Sequence, residues 1–490
     1  MTGFIFMKNK IYYEDATSLA KLIKDKIISP VELFDLFEKR IAKLNPDLNA
    51  IIQFPDDARA QAKDAEIQVY KNNYELGIFH GVPFTVKDCI DTQGILTTRG
   101  SNLFANNIAE IDATVVERMK NSGAILIGKT NMPEFALWWE TSNSLYGKTE
   151  NPWSIGKTPG GSSGGEAAAI AAGLSPFGIG SDLGGSIRQP AGFCGIVGLK
   201  PSHGRLPLTG HWPNTLLRFM HVGPLARSVR DIINGLIVMS GNDGKDYYSS
   251  RLDKFHFIHN DFNMSNVKIA YCYDGPFQPV SKEVKGNIIN ASEAFKDMGA
   301  SVERVNLEDW VKSEHQLTTS KIYAIEGGVY LNSIIGENFN QLSPVMQRRL
   351  LNKPPTLGEY IDSIEKVEYL RGCFASLFSK YEILLCPVSP TVAYNHDPIN
   401  DSGYKLDLQN INQPLLDVDG EIINGRNSIG ATIPADLSGF PAISIPFGFS
   451  NKGLPIGVQL IGKYAEDSNL LGLSLCFESY TKGMDNYPYD

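Results

Sequence analysis

The chain has 490 residues, enough to bury a large core, and its composition is that of an ordinary globular protein, neither disordered nor fibrous. A formal charge of −9 argues against a nucleic-acid-binding protein, whose footprint is basic. The longest weakly polar stretch, Ala167 to Gly180, is interrupted by Gly173, Ser175 and Pro176 and is too short to span a bilayer.

The opening "MTGFIFMKNKIYYEDA" carries too short an apolar run for a secretory signal, so the cytoplasm is the expected compartment. "SPVELFDLFEKRIAKLN" follows as a predicted helix, with Ser29 as N-cap, Pro30 at the first helical position and Glu32 closing a capping box. Phe34, Phe37, Ile41 and Leu44 give it one apolar stripe. A second helix is predicted from Asp56 to about Tyr70. Residues 1–75 therefore read as a helical layer packed on a main body, 76–490.

From Gly81 short β-rich runs alternate with helices, which points to an α/β sheet. The predicted strands are 82–86, 124–128, 267–272, 382–387, 442–449 and 456–462, with helices at 113–123, 282–298 and the C-terminus. Residues 250–265 and 393–428 are polar and irregular and read as surface loops. "GAILIGKT", Gly123 to Thr130, satisfies the phosphate-loop pattern, but Ala124 to Ile127 are themselves the apolar strand, leaving no loop to wrap a phosphate.

Six cysteines (Cys89, Cys194, Cys272, Cys373, Cys386, Cys476) lack CxxC or metal-ligand spacing and read as reduced core thiols. The histidines are equally dispersed, with no HExxH or His/Cys cluster, so no zinc site is expected.

Two glycine-flanked serines carry the chemistry. "TPGGSSGGEAAA" (158–169) places Ser162 and Ser163 just before an alanine-rich helix closed by Gly173. In "GSDLGGSIRQP" (180–190) the glycine pair allows a tight turn, so the N–H groups of Leu183, Gly184, Gly185 and Ser186 can converge on an oxyanion. No histidine is placed near Ser186. Lys87, ending "GVPFTVK", is the candidate base, with Asp88 facing the opposite way. Only a neutral amine accepts a proton. Lowering a lysine from about 10.4 to about 7.5 corresponds to roughly 4 kcal/mol between its protonation states, within reach of burial. The alternative is a surface lysine beside two glycine-rich turns.

Residues 157–201 closely resemble the signature segment of the amidase signature family. "GVPFTVKDCID" (81–91), "GKTNMPEFA" (128–136), "GPLARSVRD" (223–231) and "DLSGFPAISIPFGF" (436–449) resemble further family segments in the family's order. The resemblance implies a large mixed β-sheet with helices on both faces. It also implies amide hydrolysis through a serine acyl-enzyme, without cofactor. Ser186 matches the nucleophile, Ser162 the bridging serine after a cis peptide, and Lys87 the base. Leu183 to Ser186 match the oxyanion amides. Ser163, Asp182 and Arg188 match the supporting shell, or are structural turn residues. Trp138, Trp139, Phe193 and Trp212 are candidates for an apolar substrate pocket, or for core.

Within that family a free-standing amidase is favoured over the glutaminase subunit of a glutamyl-tRNA amidotransferase. Glu166 stands where that subunit has serine, "RRLLNKPPTLGEY" (348–360) departs from its pattern, and its acidic substrate contact is not evident around Ile429. A catalytically silent binding relative is the remaining alternative. The expected partner is a small-molecule amide, with no nucleic acid and no membrane, and a homodimer is left open.

Overall fold

The computed structural model describes residues 11–71, 75–257, 263–397, 415–483 and 486–489. Eleven strands form one mixed sheet: β1 Ile51–Gln53, β2 Pro83–Lys87, β3 Ile125–Thr130, β4 Phe177–Asp182, β5 Val197–Lys200, β6 His221–Ala226, β7 Lys268–Tyr271, β8 Ser301–Arg304, β9 Ile383–Pro387, β10 Ala442–Phe449 and β11 Pro455–Gly462. Their spatial order is β1-β3-β2-β4-β6-β5-β10-β11-β9-β7-β8. β2 runs parallel to both β3 and β4, whereas the centre from β4 through β9 is antiparallel.

Helices cover both faces, and β4 shows why. Its side chains alternate with period two. The Phe177 ring lies over Gly235 of the helix Val229–Met239, while Gly178 faces Glu166 of the helix Gly164–Ala171. The strands predicted at 82–86, 124–128, 267–272, 382–387, 442–449 and 456–462 all form, with ends shifted by at most two residues. "GAILIGKT" is indeed strand: Lys129 is buried and donates to Ile90 O at 2.8 Å and Thr97 Oγ1 at 2.6 Å.

The N-terminal segment holds helices Ala16–Lys24, Pro30–Leu48 and Ala58–Tyr70. It also supplies β1, an unexpected edge strand antiparallel to β3. The capping box at Ser29 is present in both directions: Ser29 Oγ accepts from Glu32 N–H at 3.1 Å, and Glu32 Oε2 accepts from Ser29 N–H at 3.0 Å. Phe34, Phe37 and Ile41 are buried.

One loop expectation is corrected. Within 393–428, Leu415–Val418 and Glu421–Asn424 pair as an antiparallel hairpin, because a β-turn at Asp419-Gly420 joins two short β-branched and aliphatic runs. Residues 398–414 and 258–262 of the expected loops, and 1–10 of the N-terminus, lie outside the described residues. Among the described residues, no helix is long and apolar enough to cross a membrane.

Ser29→Ala removes one cap acceptor and should lower unfolding stability by about 1 kcal/mol, read as a reduced urea midpoint with unchanged slope.

Candidate active site

The site begins at the carboxyl ends of two parallel strands, the usual place for a ligand site in an α/β sheet. The register Thr85↔Gly178 and Val86↔Ile179 brings Lys87, the last residue of β2, beside Ser181 of β4. Lys87 is fully buried, and its Nζ lies 2.7 Å from Ser162 Oγ, 3.0 Å from Ser181 Oγ and 3.4 Å from Ser181 O. Burial lowers its pKa, opposed by the charges of Cys89, Asp182 and Glu166. Asp88 does face the other way. Its carboxylate accepts from Thr98 Oγ1 at 2.6 Å and from the Thr98 and Gly100 amides, with Lys129 3.8 Å away.

Ser162 follows a cis Gly161–Ser162 peptide, and the helix Gly164–Ala171 starts two residues later. Ser163 joins the two serine segments: its N–H donates to Ser186 O at 3.1 Å and its hydroxyl to Ser181 O at 3.3 Å. Ser186 is half-buried and opens, with Ser162, onto one cavity of about 670 Å³.

The turn 183–186 is shaped by Asp182. Its Oδ1 accepts from Gly185 N–H at 2.5 Å and its Oδ2 from Ile187 N–H at 3.1 Å. Gly185 has φ +117°, and a Cβ there would lie 2.0 Å from Thr432 Oγ1, so only glycine fits. The Gly185 amide, expected at the oxyanion, is therefore turned to a carboxylate. The amides of Leu183, Gly184 and Ser186 donate to no group among the described residues.

Arg188 locks this turn to the C-terminal strands. It reaches both Asp182 oxygens at 3.0 Å, Asp436 Oδ2 at 2.6 Å, Gln459 Oε1 at 2.7 Å and Thr432 O at 2.9 Å. Burial disfavours the Asp182 carboxylate, yet the bidentate guanidinium holds its pKa well below the usual range. Sequence reasoning missed Ser181, Thr432, Asp436 and Gln459. Two of them stood in quoted segments: Ser181 next to Asp182, and Asp436 as the first residue of 436–449.

Trp138, Trp139 and Trp212 line the cavity with the serines, and the first two stack with centroids 4.0 Å apart. Phe193 does not line it. It lies in the helix Arg188–Cys194 with its ring against Tyr394, packed into the interior by the helix turn that points Arg188 at Asp182. The three downstream histidines have partners other than the Ser162 and Ser186 hydroxyls. His211 meets Cys89 Sγ at 3.6 Å, His221 meets Lys200 Nζ at 3.1 Å and His203 bonds Leu217 O at 2.8 Å. Beneath Lys87, Glu166 accepts from Thr85 Oγ1 at 2.6 Å and Thr130 Oγ1 at 2.9 Å, fully buried. Gly178 admits it, since a Cβ there would meet Glu166 Oε2 at 2.1 Å.

Comparison with known proteins places this geometry. A model of the family described as Amidase matches residues 32–471. The chain is 33% identical over 95% of its length, and 96% of the relative's, to a glutamyl-tRNA(Gln) amidotransferase subunit from a Geobacillus species. Among solved structures it is similar to a 6-aminohexanoate cyclic dimer hydrolase complexed with substrate, with TM-score 0.81 and 27% identity, covering 98% of this chain and 99% of that one. It is similar as well to a bacterial aryl acylamidase of the amidase signature family, with TM-score 0.81 and 26% identity over 96% of both chains. The expectation of a small-molecule partner with nucleic acid excluded is corrected by these findings. Relatives this similar are subunits of a tRNA amidotransferase, and the net charge of −9 cannot speak against binding that other subunits or a local patch provide.

Glu166 makes one prediction. Burial raises its pKa from 4.5 to about 8, against the hydrogen bonds from Thr85 and Thr130 and the charge of Lys87. The folded protein thus keeps a proton that the unfolded chain releases. The stability tied to that proton is complete below 4.5 and lost as pH rises through about 8. Glu166→Gln should flatten the fall in urea midpoint between those limits, by up to about 1.4 kcal/mol per pH unit. Parallel wild-type and variant curves would remove Glu166 from the site's proton balance.

Proposed function

The chain belongs to the Amidase family and is a C–N hydrolase, and on that premise we propose that it cleaves a carboxylic amide with Ser186 as nucleophile, Ser162 as proton relay and Lys87 as base. The observation that carries the reading is the set of three contacts at Lys87 Nζ. A neutral amine has two N–H donors and one lone pair. Ser181 O and Oγ receive the donors, which leaves the lone pair aimed at the Ser162 hydroxyl, 2.7 Å away. An ammonium would instead spend its third N–H on Ser162 and could take nothing from it.

The steps follow. Ser186 Oγ attacks the carbonyl carbon as its proton passes to Ser162 and the Ser162 proton to Lys87. The amides of Leu183, Gly184 and Ser186 receive the developing oxyanion. The lysine ammonium returns its proton through Ser162 to the leaving nitrogen, the C–N bond breaks, and an ester to Ser186 remains. Water, deprotonated along the same chain, attacks that ester and releases the carboxylate. Asp182, Arg188 and Ser163 hold the turn in place and are positioning residues. We place the activity in the cytoplasm, a reading supported by six cysteines that are all unpaired.

A second reading, glutaminase subunit of an amidotransferase, is supported by the curated relatives. It requires glutamine hydrolysis that appears or rises sharply when partner subunits are added. Full activity of the isolated chain on simple amides sets it aside.

A fluorophosphonate probe should label wild type and not Ser186→Ala. Lys87→Ala should slow labelling by about 10²–10⁴-fold, and Ser162→Ala by less where water can substitute for the hydroxyl. The wild-type rate should rise with pH as Lys87 sheds its proton, with a midpoint below 10.5, the ordinary lysine value. A Lys87→Ala protein that acylates at the wild-type rate at pH 7 would exclude Lys87 as base.

A further inference from the structure

A hydroxyl serves Lys87 as an acceptor only while its own proton points elsewhere. Among the described residues, Ser181 Oγ has two side-chain neighbours at hydrogen-bonding distance, Lys87 Nζ at 3.0 Å and Cys89 Sγ at 3.6 Å. Cys89 Sγ in turn lies 3.6 Å from His211 Nε2. Lys87, Ser181, Cys89 and His211 thus form one row of polar side chains, and all four are buried. Burial raises the pKa of the Cys89 thiol, which therefore keeps its proton. Burial, and then the charges of Lys87 and Arg99, lower His211 to about 3, so its ring is neutral and carries one proton at neutral pH. Its Nδ1 has no partner among the described residues, so Nε2, facing Cys89, is where its hydrogen bonding is spent. The charges around the row are engaged with one another. Lys129 lies 3.8 Å from Asp88, and Arg99 lies 3.9 Å from Asp91. On the other side of Lys87, Glu166 is held by Thr85 and Thr130 and Asp182 by Arg188.

Such a row has two hydrogen-bond directions. In one, Lys87 donates to Ser181 Oγ, Ser181 donates to Cys89 Sγ, and Cys89 donates to a bare His211 Nε2. The Lys87 lone pair is then left for Ser162. In the other direction every bond reverses, and the Ser181 hydroxyl donates to Lys87 Nζ. The lone pair is then occupied, and the Ser162 proton has no base to receive it. Each hydroxyl or thiol has a single proton to give, so the row points one way or the other as a unit. The reaction selects between them. The ammonium formed during acylation has three N–H groups and three contacts, and it needs Ser181 Oγ as an acceptor. Only the first direction serves amine and ammonium alike, with no buried group turning between the two states.

We propose, resting on the Lys87 reading above, that Cys89 and His211 are positioning residues. The thiol, donating to the bare Nε2 of a neutral imidazole, fixes the Ser181 hydroxyl as an acceptor and so keeps the Lys87 lone pair on Ser162. The two segments that carry them are joined by backbone, independently of these side chains: Trp212 N–H donates to Cys89 O at 2.9 Å and Asp91 N–H to Gly210 O at 2.8 Å. Substitutions at Cys89 and His211 therefore leave that pairing in place.

Two measurements test this. Nitrogen NMR of histidine-labelled protein reads the His211 tautomer, with His211→Gln identifying the resonance. Wild type at neutral pH should carry the proton on Nδ1 and show a bare Nε2. Fluorophosphonate labelling against pH reads the consequence. Cys89→Ala should lower the high-pH plateau roughly tenfold. It should also move the midpoint to lower pH, because a Ser181 hydroxyl without its sulfur acceptor turns to the neutral amine and stabilises it. Cys89→Ser, which keeps a donor and acceptor there, should restore part of the plateau. Mere loosening of the packing would admit water and move the midpoint the other way, toward 10.5, the ordinary lysine value. A proton on His211 Nε2, a Cys89→Ala plateau at the wild-type level, or a midpoint moved upward would each overturn the proposal. The tautomer is read without any serine chemistry. A wild type that fails to label thus counts against the hydrolase reading, while the state of Nε2 still decides the direction of the row.

Discussion

An amine deprived of water keeps a neutral form only where its two donors are met and its lone pair is left for an acid. Lys87 satisfies that condition through one neighbour, Ser181, whose carbonyl and hydroxyl take both N–H groups. Everything else in the site is arranged around this contact. The parallel register of β2 and β4 sets Lys87 beside Ser181, and the cis peptide before Ser162 sets the relay hydroxyl on the remaining side of the nitrogen. Ser163, hydrogen-bonded to both β4 and Ser186, then fixes how far the nucleophile stands from the relay. In the proposed reaction the proton is handled by an aliphatic amine and hydroxyls, and it is burial, rather than imidazole chemistry, that lowers the pKa of the base.

The turn 183–186, proposed to receive the oxyanion, is held from beneath by an ion-pair network. Arg188 stands between two carboxylates, and only one guanidinium is available to them. Asp182, bound bidentately and by two amides, stays ionised. Burial and repulsion from Asp182 push Asp436 well above the usual carboxylate range. Burial likewise lowers Lys200 to about 7 and drives His221 well below its ordinary value. The shell thereby approaches one ion pair surrounded by neutral groups, which limits the desolvation cost of placing so many ionisable side chains inside the protein. The same arrangement commits the Gly185 amide to the Asp182 carboxylate.

How legible this was in the sequence depended on whether the signal was local. Strand runs such as 442–449 and the Ser29 capping box depend on residues a few positions apart, and they form where expected. Lys87 and the two serines could be singled out because glycine-rich turns and an amine at a strand end are themselves unusual, and the family resemblance supplied the roles proposed for them. The bonds of Arg188 to the C-terminal part of the chain were not legible. Thr432, Asp436 and Gln459 lie 244 to 271 residues away, and only the sheet order puts β10 and β11 beside the turn. Phe193 shows the reverse error. It sits five residues from Arg188, but on a helix that distance turns it into the interior. Charge was misread for a similar reason. A net value of −9 averages over the whole surface and is silent about any single cavity.

That last point also explains how one catalytic shell can serve different amides. Lys87, Ser162, Ser186 and the Arg188 network come from the sheet and the two helices that follow the serine turns. The opposite wall comes from residues 316–355 and 424–427, which belong to helices and short turns outside the sheet. Changes there leave the Lys87 register untouched, because no strand of the sheet passes through them. A π-helical turn at Tyr323 is the point where the two parts meet, with its hydroxyl on Leu183 O. In the reaction proposed above, substrate choice is therefore separable from proton chemistry, and the place to read it is the charge and shape of that outer wall.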